Sequence, residues 1–159
     1  MSIVHTATVI SFAIHKVFCN LSFTASPYFS PYNSRLMLKT IGLVFLGGGI
    51  GSSFRYLNSV WVGKYFPSQF PIATFLTNIT GCLLIGILLG IAERQQFSST
   101  DFKFFFITGF CGGYTTFSAF SAENFTMIQN GQMLQAMLYI GLSLFVGILA
   151  TWVGVVIAK

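Results

Sequence analysis

Long apolar stretches with very few charges decide what this chain can become. From about residue 38 onward it carries four apolar stretches, near 38–62, 70–92, 102–127 and 133–158, separated by short polar turns. An α-helix needs about 20 such residues to cross a hydrocarbon core. Only 7% of the side chains are charged, against about 25% in a soluble domain, so a water-facing surface cannot be assembled. Barrel strands would be roughly ten residues long with strict alternation, and that alternation is absent. The expected class is an all-α integral membrane protein of one small domain with four transmembrane helices. The net charge is +5, from eight Lys/Arg against three acids. The basic residues are scattered near segment ends, where lipid headgroups lie.

The third stretch is apolar at both ends and unlike a helix in its middle. It reads Gly109-Phe-Cys-Gly-Gly-Tyr-Thr-Thr-Phe-Ser-Ala-Phe120. Two adjacent glycines ease interruption of a helix, since each costs about 1 kcal/mol against Ala. In lipid every backbone group needs a partner. Carbonyls freed around Gly112–Thr115 would therefore require a cation, water or another chain, and a ring of such hard oxygens suits a small alkali cation. Phe117 and Phe120 are three apart and share a face. Their ring edges carry partial positive charge and can solvate an anion weakly, with Ser118 and Ser121 nearby as hydroxyl donors. Ordinary lipid or core packing is the competing reading for these rings, in a chain with 19 Phe.

Other spans carry a few polar residues. In the first, Gly47 and Gly51 form a small-xxx-small pair suited to close helix contact. The phosphate-loop spacing is not met there, and the first acid of the chain is Glu93. Arg55 either snorkels to headgroups or places a fixed positive charge near a pore mouth. In the second span, Thr74 and Asn78 share a face. The Asn78 amide must find partners away from lipid, as interhelical glue or as pore lining. Gly86 and Gly90 form a second small pair. In the fourth span Tyr139 and Ser143 share a face. Four helices are few for enclosing a pore, so a homodimer or another small oligomer is expected.

Residues 1–36 differ from the rest. The apolar run of residues 6–14 is too short to span, and Ser26-Pro27-Tyr-Phe-Ser-Pro31 reads as loop. The expectation is an N-terminal extension outside the fold, with Met37 as the natural start and 37–159 as the membrane domain. Three cysteines at 19, 82 and 111 lack CxxC spacing, and His5 and His15 lie near the N-terminus. No zinc site or redox pair follows from these.

Three ordered motifs carry a family resemblance. They are Gly48-Gly-Ile-Gly51-Ser-Ser-Phe-Arg55-Tyr56, Phe75-Leu-Thr-Asn78-Ile-Thr-Gly81 and Gly109–Phe120. Together they resemble the CrcB/Fluc fluoride channel family, from about Met37 to the C-terminus. The resemblance implies an antiparallel, dual-topology homodimer in the cell inner or plasma membrane. It implies two fluoride pores and a structural sodium ion at the dimer interface, held by backbone carbonyls of Gly112 and Thr115 from both subunits. Phe117 and Phe120 match the pore phenylalanines, Asn78 the pore asparagine and Arg55 the arginine closing the first motif. Tyr139 and Ser143 match polar positions of the fourth span, and Glu123 the acid after the phenylalanines. Ala119 and Gly147 depart from the pattern, and Gly147 thins the polar track beyond Ser143.

Function follows as an expectation. Fluoride holds water strongly, so a selective path must offer replacement donors, among them Thr74, Asn78, Ser118 and the Phe edges. No nucleotide motif and no mid-span acid accompany them, which favours passive, gradient-driven export over pumping. A membrane redox or hydrolytic enzyme would need paired Cys or a His with a nucleophile, and the expected spans contain no His and no CxxC. A small four-helix proton-coupled multidrug exporter is the alternative, and it needs a carboxylate deep in the first span that is absent. Taken from Met37, Lys39, Arg94, Lys103 and Lys159 fall on one side against Arg55 and Lys64 on the other, a mild positive-inside bias. An oppositely oriented paralogous partner is therefore the alternative to the homodimer.

Overall fold

The computed structural model describes residues 34–68, 70–94 and 99–159. Most of the expected extension, with Cys19, His5 and His15, lies outside them. Among the described residues the fold is all helix, with no strand. A division of the chain falls between Met37 and Leu38. The unit from Leu38 onward holds all the described helical structure except the first turn of the first helix.

Among the described residues three helices are long and apolar enough to cross a membrane. Helix α1 is Ser34–Tyr65, α2 is Ile72–Arg94, and the last runs Met133–Ala158. Pro67 and Pro71 flank the α1–α2 turn, where a missing N–H costs nothing. Between α2 and the last helix lies a segment built from pieces. One turn, α3 (Thr100–Phe102), leads into a π-helical run, Lys103–Cys111, and then into a single turn, α4 (Gly112–Tyr114). Thr115 and Thr116 are extended, with φ/ψ of −77°/159° and −149°/117°. Helix α5 (Phe117–Gln129) follows, and the Asn130-Gly131 turn leads to α6 (Met133–Ala158). Gly131 takes φ 74°, which glycine adopts without strain.

The glycines act as contact points between backbones. A β-carbon at Gly47 or Gly51 of α1 would strike the carbonyl of Phe105 or of Phe110 in the π-helical run. The second pair works likewise: Gly86 lies against the Thr151 carbonyl of α6, and Gly90 against Val155 and Ala158. Helices α2 and α6 pack along each other, with Gly154 of α6 set against Leu83 of α2. Without a hydrophobic drive in lipid, such close approach is what holds helices together.

Gly112–Gly113 are not where the chain leaves the helix. Both are helical, and the extended residues are Thr115 and Thr116. Gly113 is small because the backbone of Gly48 lies against it, while Gly112 has open space around it.

The outward faces are apolar. Phe45, Leu46, Phe54, Leu57 and Trp61 of α1, and Leu134, Phe145, Ile148 and Trp152 of α6, are exposed. These belong in hydrocarbon. Among the described residues the buried hydrophobic side chains are few, Val62, Cys111, Met127, Ala136 and Tyr139, and the last three cluster with Phe70, Phe75 and Phe120 packed on them.

Candidate functional site

The interruption at Thr115–Thr116 is built by side chains from two other helices. Asn78 of α2 clasps Thr116 in both directions. Its Nδ2 donates to the Thr116 carbonyl at 3.2 Å, and its Oδ1 accepts the Thr116 N–H at 2.8 Å. A continuous helix would send that N–H to the Gly112 carbonyl four residues back; here it goes to Asn78 instead. From α1, Arg55 Nη1 donates to the Thr115 carbonyl at 3.0 Å. Thr115 Oγ1 turns back to the Cys111 carbonyl at 2.9 Å. Thr116 Oγ1 caps α5 by accepting the Ala119 N–H at 3.2 Å and lies 3.2 Å from Ser118 Oγ. Every one of these partners comes from protein, which is the condition extended backbone would have to meet inside a bilayer.

Asn78 is thus interhelical glue in this arrangement, holding α2 to the interruption. The amide still carries a second N–H, beyond the one spent on Thr116. Arg55, half-buried, does not snorkel away from the interior; it holds a carbonyl 60 residues along the chain.

Further along α5 stand the two phenylalanines, with ring centroids 5.9 Å apart. Phe117 is 79% exposed, whereas Phe120 is half-buried, its ring 5.0 Å from that of Tyr139. One turn on, Glu123 accepts from Thr74 Oγ1 at 2.5 Å on one oxygen and from Tyr139 Oη at 3.0 Å on the other. The expected residues Thr74, Phe120, Glu123 and Tyr139 are therefore brought together. Ser143, one turn past Tyr139, has its hydroxyl oxygen buried without a partner. Ser118 is exposed beside Thr116 rather than in this group.

Two carbonyls bear on a cation. Gly112 is exposed and its carbonyl lacks its helical donor; that of Thr115 shares its lone pairs with Arg55. Hard oxygens of this kind suit a small alkali ion, with one lone pair of Thr115 already taken by a cationic side chain. No cluster of three His, Cys, Asp or Glu stands ready for a metal among the described residues. Cys82 and Cys111 are unpaired.

Some polar pairs were not expected from the sequence. Asn58 Nδ2 donates at 2.6 Å to Thr77 Oγ1, whose residue is 1% exposed and which itself donates to the Ala73 carbonyl. Tyr114 Oη pairs with Thr80 Oγ1 at 3.0 Å. Asn124 is buried with its Oδ1 unpartnered. Asn58 carries the same signal as Asn78, an amide within an apolar span, and it lies three residues past Arg55.

A helical fold with three long apolar spans and a side-chain-clasped interruption defines a multi-pass membrane protein. Comparison with known proteins takes this further. Residues 42–155 match the family described as CrcB-like protein, Camphor Resistance (CrcB). The chain belongs to that family. It is 57% identical over 122 residues, 77% of this chain and 98% of the relative, to a fluoride-specific ion channel FluC of Flavobacterium psychrophilum. It is 43% identical over 123 residues, again 77% of the chain and 98% of the relative, to a fluoride-specific ion channel FluC of Azobacteroides pseudotrichonymphae. A fluoride-specific ion channel FluC of Acidobacterium capsulatum shares 44% over 116 residues, 73% of the chain and 93% of that relative.

Proposed function

We propose that this chain is a fluoride-selective channel subunit that lets fluoride leave the cell passively and so lowers its toxic intracellular level. The observation that carries the reading is the 57% identity, over 98% of its length, to a relative named as a fluoride-specific ion channel. The site chemistry agrees with it. Fluoride must exchange strongly held water for donors, and the residues around the interruption offer hydroxyls, an amide hydrogen and aromatic edges.

In this reading 37–159 is the channel domain and the 102–127 stretch is a fourth, interrupted span. The anion passes Phe117 and Phe120 and is handed along Asn78, Ser118, Thr74, Tyr139 and Ser143. The spare Asn78 N–H and the unpartnered Ser143 hydroxyl are donors in waiting. Arg55 supplies a positive charge that favours anion approach, and Glu123 governs two of the hydroxyls.

The working unit is an antiparallel, dual-topology homodimer. Exposure of Phe117 and the open space beside Gly112 in the lone subunit support a surface that a second copy completes. A structural sodium ion belongs at that interface, held by the Gly112 and Thr115 carbonyls. When bound, it would neutralise oxygens that the interruption frees.

The test is fluoride efflux from proteoliposomes followed with a fluoride-selective electrode. Rapid fluoride release with negligible chloride release is expected. Equal release of both ions, or of neither, would defeat the reading.

A further inference from the structure

Glu123 stands out among the groups on the proposed path, because it is an anion on an anion's route. Both of its oxygens are occupied by hydroxyl donors, Thr74 on one side and Tyr139 on the other. No Lys or Arg forms an ion pair with it among the described residues; the ion pairs present are Lys39–Asp101 and Lys159–Glu93. Its charge is therefore held by O–H groups alone. Tyr139 is fully buried and its ring is fixed between Phe70 at 5.2 Å and Phe120 at 5.0 Å. The hydroxyl is thus aimed by packing and does not depend on Glu123 for its direction. Glu123 itself borders an open cavity of about 670 Å³, with Pro71, Thr126, Asn130 and Gln132 at its walls. The carboxylate has somewhere to go; the Tyr139 hydroxyl does not.

A carboxylate oxygen and a fluoride ion require the same partner, a short charge-assisted O–H donor. We infer that Glu123 is a tethered competitor of the permeating anion. Its carboxylate occupies the Thr74 and Tyr139 hydroxyls when no fluoride is present, and it swings into the neighbouring cavity as fluoride takes them. The side chain keeps these buried hydroxyls satisfied between ions, which spares the cost of leaving them unpaired. It also sets how much fluoride is needed to fill the path. This inference rests on the fluoride-channel reading and assigns Glu123 a role within it.

Two measurements on the full chain in lipid test the role. In the first, infrared difference spectra are taken on adding sodium fluoride, with sodium chloride as control. Fluoride should shift the carboxylate stretching band of the wild type as the hydroxyls leave Glu123, chloride should not, and Glu123→Gln should lack the band. In the second, Glu123→Gln, which keeps shape but removes the charge, should lower the fluoride concentration for half-maximal flux about tenfold, equivalent to ~1.4 kcal/mol. A wild-type chain that conducts fluoride while its carboxylate band stays unmoved at saturating fluoride would overturn the tethered competitor and leave the channel reading standing. A chain that neither conducts fluoride nor shifts the band overturns the channel reading, and this inference with it.

Discussion

At the scale of single residues, Phe117 and Phe120 separate two effects that are usually entangled. Phe117 touches little within its own subunit, while Phe120 packs on Tyr139. Phe117→Ile should leave the melting temperature of the separated single subunit almost unchanged, within about 0.5 kcal/mol of stability. Phe120→Ile should cost about 1–2 kcal/mol through lost core packing. Both should nearly abolish fluoride flux; undiminished flux in both variants would remove the rings from the path. Tyr139→Phe keeps the ring packing and deletes one donor to Glu123. It should destabilise by about 1–3 kcal/mol, readable as a lowered melting temperature of the solubilised protein.

At the scale of elements, the test lies in the glycines. Gly86→Ala would press a β-carbon onto the backbone of Thr151 and should cost about 1–3 kcal/mol, seen as a lowered melting temperature. Gly42→Ala meets open space and should be neutral or slightly stabilising by the same measurement. Equal effects would mean that α2 and α6 do not rely on close backbone contact. Three of the four expected spans, α1, α2 and α6, were legible in the sequence, because lipid imposes a single requirement, a run of about 20 apolar residues, and these three meet it. The small pairs Gly47/Gly51 and Gly86/Gly90 were legible for a similar reason, since spacing alone places them on one face. The position of the interruption was not. Local propensity points to Gly112–Gly113, but the chain turns extended at Thr115–Thr116, where Asn78 offers an acceptor from 38 residues away. Arg55 reaches across 60 residues and Thr74 across 49. Partners at such separations leave no local pattern, so the site's members could be named while their pairings could not.

At the scale of the whole molecule, Gly112 offers a way to ask how many chains make the channel. It is exposed with free space around it in the subunit, so Gly112→Leu should fold normally as a single chain. In the proposed antiparallel pair that position is covered, and the variant should shift from dimer to monomer in light scattering and lose flux. A dimer of unchanged mass with full flux would rule out that interface. The interruption also has a consequence in the language of fields. Helix α5 begins in mid-segment at Phe117, with its first N–H groups bare but for the Thr116 cap, and the preceding helical run ends at Tyr114. A helix start carries about half a positive elementary charge, and a helix end about half a negative one. One break thus sets two opposite poles side by side in a medium with little screening. In the proposed channel the pole at Tyr114, already met by Arg55 at the Thr115 carbonyl, would favour cations and the pole at Phe117 would favour anions, so the backbone would add to the sorting of ions by sign.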